Sequence, residues 1–135
     1  EVGHPAHDFE PARILLVEDD DALRMMLQRD LAACGHDVVG ARSLHEALAF
    51  AASAEHLDVL VAHVRIPGGD ARQLSAIVTE RFPEARVLFA SRYSRAELDT
   101  HGVDLGVGKL IPRPFHLQDV LAALERAPRD RGYKR

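Results

Sequence analysis

Residues 13–35 read "RILLVEDDDALRMMLQRDLAACG" and hold one complete strand, turn and helix. "RILLV" (13–17) is an apolar run without the alternation of a half-solvated strand, so it needs cover on both faces of its sheet. "EDDD" (18–21) follows, and its last two carboxylates are placed to cap the N-terminus of the next helix. Leu23, Met26, Leu27, Leu31 and Cys34 then recur at spacings of three and four, one face of a helix, and Gly35 is placed to end it.

Outward from this unit the pattern repeats. A short strand around Val38 and Val39 leads to "SLHE", a capping box of Ser43 and Glu46, and to a helix with Leu44, Ala47, Leu48 and Ala51 on its buried face. A third strand, 57–62, is followed by a loop and a helix carrying Leu74, Ile77, Val78 and Phe82. "RVLFA" (86–90) is a fourth strand, and "SRAE" (94–97) is a second capping box opening a short helix. "GKLI" (108–111) is a fifth strand stopped by "PRPF", and a last helix buries Leu117, Val120, Leu121 and Leu124. Residues 1–12 read as a tail or linker, 13–127 as one domain and 128–135 as a basic tail. Continuous apolar strands alternating with helices require a parallel sheet covered on both faces. The fold class expected is α/β, a doubly wound five-stranded parallel sheet.

Composition bounds the function. At 135 residues the chain fits one domain, with 47% hydrophobic and 28% charged residues and a net charge of −4, which speaks against general nucleic-acid binding. The single cysteine, Cys34, cannot form an internal disulfide, and no apolar stretch reaches membrane-span length, so a cytoplasmic protein without membrane contact is expected. The chain opens on Glu1 rather than Met, which suggests a piece of a longer or processed protein. "GVGK" (106–109) fails as a phosphate loop, because Val103 and Leu110 stand where Gly and Ser or Thr are required.

In doubly wound sheets, ligands bind outside the carboxyl ends of the strands where strand order reverses. That edge gathers Glu18, Asp19 and Asp20 from the first strand, His63 from the third, Ser91 from the fourth and Arg113 from the fifth. Each has a plain structural alternative: helix caps for the acids, a satisfied polar residue for His63, a turn hydroxyl for Ser91 and a solvated charge for Arg113.

Taken in order, "LLVEDD", "HVRIPGG", Ser91 and "PRPF" give residues 13–127 a resemblance to the receiver domain of two-component response regulators, with its (βα)5 flavodoxin-like fold. The resemblance implies that Glu18 and Asp19 help hold Mg²⁺, that position 63 takes a phosphoryl group on an aspartate, and that Ser91 and a lysine at 113 contact it. It also implies an aromatic switch residue at 110 and a cis bond before Pro114. This sequence has His63, Arg113 and Leu110 at those positions. Imidazole is a poor Mg²⁺ ligand and lacks the nucleophilic carboxylate oxygen, and a guanidinium favours fixed bidentate contacts.

The expectation is therefore an atypical receiver, not an enzyme, that has lost the phosphoacceptor, with Mg²⁺ binding weak or lost and no other cofactor. It would act by phosphorylation-independent contact with a sensor histidine kinase or other signalling protein, or as a homodimer. Two alternatives stay open: phosphotransfer on His63 or a nearby carboxylate, and a transition-metal site of Glu18, Asp19 and His63. A flavin or nucleotide binder is disfavoured, since no Gly-rich loop follows the first strand. No DNA-binding output domain fits after residue 127, so either a stand-alone receiver or one excised from a hybrid kinase or larger regulator is expected.

Overall fold

A computed structural model describes residues 11–91, 94–100, 109–112 and 117–126. The elements run β1 (Arg13–Val17), α1 (Asp21–Ala33), β2 (Asp37–Ala41), α2 (Leu44–Ser53), β3 (Val59–His63), β4 (Arg65–Ile66), β5 (Gly69–Asp70), α3 (Ala71–Arg81), β6 (Arg86–Ser91), α4 (Arg95–Thr100), β7 (Lys109–Pro112) and α5 (Leu117–Arg126). Five strands form one parallel sheet in the order β2-β1-β3-β6-β7, the doubly wound arrangement expected from the apolar strands. Strand order reverses at β1, which lies between β2 and β3.

Successive strand residues point to opposite faces, and the core divides accordingly. Ile14, Leu16, Val59, Val61, Leu88 and Ala90 pack with Leu27 and Leu31 of α1 and Val120 of α5. Leu15, Val17, Leu60, Ala62, Val87 and Phe89 pack with Ala47 and Ala51 of α2 and Leu74 and Val78 of α3.

The helix ends follow local chemistry. Asp20 Oδ1 accepts the Leu23 amide at 3.1 Å and caps α1. At the other end Gly35, at φ 97°, lets its own amide reach Ala32 O (3.0 Å) while His36 N reaches Leu31 O (3.2 Å), a Schellman closure that a Cβ would strain. The "SRAE" box forms in full between Ser94 and Glu97. The "SLHE" box forms by half: Ser43 Oγ accepts Glu46 N, but the Glu46 carboxylate takes the amide of Arg42, one residue earlier than the box requires, together with its guanidinium.

Several expectations are corrected. Met26 and Ile77 are 40% and 41% exposed, because each sits beside its helix's buried stripe and not on it. The third strand starts at Val59, two residues later than expected: Asp58 turns its carboxylate to the Arg13 amide at 2.8 Å. What read as a plain loop after His63 contains the β4–β5 hairpin, turned by Pro67 and by Gly68 at φ 94°. Leu44 N donates to Pro67 O at 2.9 Å and fastens that hairpin to the start of α2. Leu124, Arg113 and the bond between Arg113 and Pro114 lie outside the residues whose surroundings are described. Among the described residues, no helix is long and apolar enough to cross a membrane.

Candidate functional site

The β1–β2 ladder runs one residue past Val17, with Glu18 N donating to Ala41 O at 2.9 Å, so the Glu18 side chain is delivered to the carboxyl edge beside β3. His63, the last residue of β3, is paired in register with Ala90 of β6. The two side chains meet there. His63 Nε2 is hydrogen-bonded to Glu18 Oε1, with Glu18 2% and His63 6% exposed. Glu18 Oε2 accepts the Asp20 amide at 2.9 Å, so both carboxylate oxygens are engaged from within the chain.

Burial raises the Glu18 carboxyl, but the His63 hydrogen bond, the Asp20 amide, the charge that His63 carries when protonated and a side-chain hydrogen bond with Asp19 together pull it below the ordinary glutamate value. Glu18 is therefore an anion, and Nε2 must be the hydrogen-bearing nitrogen.

The other candidates are placed less centrally. Asp19 is exposed and bears on the pair through a side-chain hydrogen bond with Glu18. Asp20 contributes its amide to Glu18 and its carboxylate oxygen Oδ1 to the α1 cap. Ser91 is buried at the end of β6, one position beyond the residue in register with His63. Leu110, half-buried on β7, packs against the cluster under α2 and α3. Arg24 received no role from the sequence, yet its guanidinium donates to the Glu18 carbonyl at 2.9 Å and pairs with Asp21 at 2.7 Å. Helical periodicity shows which face a residue occupies, not which carbonyl a long side chain can reach.

Residues 14–125 match the model of the response regulator receiver domain. This chain belongs to the response regulator receiver family. The receiver is 31% identical over 115 residues to response regulator protein FleR of Pseudomonas aeruginosa, across 85% of this chain and 24% of FleR. Chemotaxis response regulator CheY4 of Vibrio cholerae has a similar structure, with a TM-score of 0.76 at 25% identity, covering 88% of this chain and 100% of CheY4. The non-phosphorylated HemR receiver domain of Leptospira biflexa gives 0.71 at 32% identity, covering 87% and 93%. The chain spans about a quarter of the length of FleR and of the NtrC regulator of Salmonella typhimurium.

Receivers typically bind Mg²⁺, so the donor set can be tested against that ion. Mg²⁺ wants several oxygen ligands in near-octahedral array. Here Glu18 has both oxygens occupied and faces an imidazole donor. Among the described residues, no three His, Cys, Asp or Glu side chains are grouped to hold a metal ion, and the trio suggested for a transition metal, Glu18, Asp19 and His63, forms no such group. The residues present do not fit the ion.

Proposed function

We propose that this receiver domain signals without aspartyl phosphoryl transfer, by presenting one preset surface to a protein partner, a sensor histidine kinase, another signalling protein or a second copy of itself. His63 stands at the position that carries the family's phosphoacceptor aspartate, and it acts as an internal substitute for the metal. The observation that carries this reading is the pairing of His63 with Glu18. Carboxylates crowded at a strand end repel one another unless a cation or donor lies between them. The imidazole supplies that donor, and the Asp20 amide completes the coordination of Glu18.

Phosphotransfer to an aspartate needs a carboxylate nucleophile and a metal-bound donor. Position 63 offers neither, and its Nε2 is spent on Glu18. Ser91 then serves the shape of the edge, and Leu110 packs without the ring that the family rotates as its switch. The domain is accordingly a binding module, not an enzyme, and its place is the cytoplasm, where its kinase-type partners act.

Intact mass spectrometry after incubation with acetyl phosphate and Mg²⁺ tests this directly. The wild-type chain is expected to gain no mass. A stoichiometric gain of one phosphoryl group, on His63 or on a carboxylate, would overturn the proposal in favour of phosphotransfer.

A further inference from the structure

We propose that Arg24 is a positioning residue for the Glu18–His63 pair, acting on the main chain of Glu18. This inference rests on the reading of that pair as the functional centre of the domain. The β1–α1 turn must direct the Glu18 carboxylate toward β3, and a carbonyl on the same residue must find a donor or water. Arg24, on the first turn of α1, is that donor: Nη1 meets Glu18 O at 2.9 Å and Nη2 meets Asp21 Oδ1 at 2.7 Å.

A guanidinium is suited to the task, because its planar fork fixes two acceptors relative to one another, where the three donors of an ammonium rotate about a single nitrogen. The side chain is only 12% exposed. Its stem lies against β2, where a Cβ built on Gly40 would come 3.2 Å from Arg24 Cδ, so the absence of a side chain at Gly40 gives it room. One side chain thus ties the main chain of Glu18 to the start of α1.

The test uses the nitrogen resonances of the His63 ring in ¹⁵N-labelled protein. Wild type and Glu18→Gln define the paired and altered positions. Arg24→Met keeps the stem and removes both donors, and it is expected to move the His63 signals toward their position in Glu18→Gln; Arg24→Lys, with a compact ammonium in place of the planar fork, is expected to return them part of the way. Arg42→Met, which alters the surface without touching Glu18, is expected to leave them in place. If Arg24→Met and Arg24→Lys both leave the signals at the wild-type position while Glu18→Gln moves them, the positioning role is wrong and the pair stands. If Glu18→Gln moves nothing, the pair itself is wrong. Should Arg24→Met fail to fold, Arg24→Lys decides: wild-type signals there overturn the role.

Discussion

Replacing His63 by Asp reverses the chemistry of the edge. In the wild type the buried Glu18 carboxylate receives a ring N–H and an amide N–H. In His63→Asp the ring donor is gone and a second carboxylate faces the first, 45 residues away in sequence and adjacent in space. Leaving the buried Glu18 carboxylate without its ring donor and beside a second carboxylate costs about 3–5 kcal/mol, because an uncompensated charge stays desolvated. For a domain of this size 1 kcal/mol corresponds to about 4 °C in melting temperature, so the metal-free variant should melt roughly 12–20 °C below wild type. A divalent cation then has two carboxylates to bridge. At a Mg²⁺ concentration ten times the dissociation constant, linkage returns about 1.4 kcal/mol, or about 6 °C. The assay is thermal unfolding of both proteins with and without Mg²⁺, alongside calorimetry. A flat Mg²⁺ response is expected for wild type and a rising one for His63→Asp. A metal-free variant as stable as wild type, or a wild type that gains as much from Mg²⁺ as the variant does, would refute the substitute-cation reasoning.

Other consequences are smaller and separable. Glu18 is held below its ordinary value of 4.5, so its contribution to stability is whole above about pH 4.5 and lost as pH falls through the lowered folded value; urea titrations between pH 6 and 3 should show a shallower loss in Glu18→Gln than in wild type. Asp20→Ala removes the α1 cap and is expected to cost about 1 kcal/mol by chemical denaturation, without moving the mass-spectrometric result. Gly69→Ala drives a Cβ to within 2.7 Å of Leu44 Cδ2 and 2.6 Å of Gln73 Oε1, and should cost about 1–3 kcal/mol while loosening the β4–β5 hairpin, seen as faster exchange of the Leu44 amide. Adding Arg113→Lys to His63→Asp should raise phosphorylation from acetyl phosphate above that of the single variant, because a mobile ammonium replaces a fixed fork.

The architecture was legible because its signals are long. The apolar runs of the first, third and fourth strands and the helical spacings in α1, α2, α3 and α5 repeat over enough residues to fix the alternation, and the convergence of Glu18 and His63 followed from topology alone. Shorter signals were lost. A two-residue strand has no period, so β4 and β5 looked like the turn that joins them. The exposed Met26 and Ile77 neighbour Leu27 and Val78, and a list of apolar residues does not separate a stripe from its margin. The Glu46 carboxylate went to Arg42 instead of closing its box, a choice made by a neighbouring guanidinium and not by spacing.

The alternation along the strands has a consequence for how such a domain can change over generations. Ile14 and Leu16 share their side of the sheet with Leu27 and Val120, while Leu15 and Val17 share theirs with Ala47 and Leu74. A substitution that enlarges one pocket can be compensated only by residues on the same side, since the backbone of the sheet stands between the two. Lineages are therefore free to recontour the α1–α5 side for one set of contacts while the α2–α3 side drifts under its own constraints. Correlated replacements are expected within each group and not between adjacent residues of a single strand, so that Leu15 and Leu16, joined by one peptide bond, answer to different neighbours.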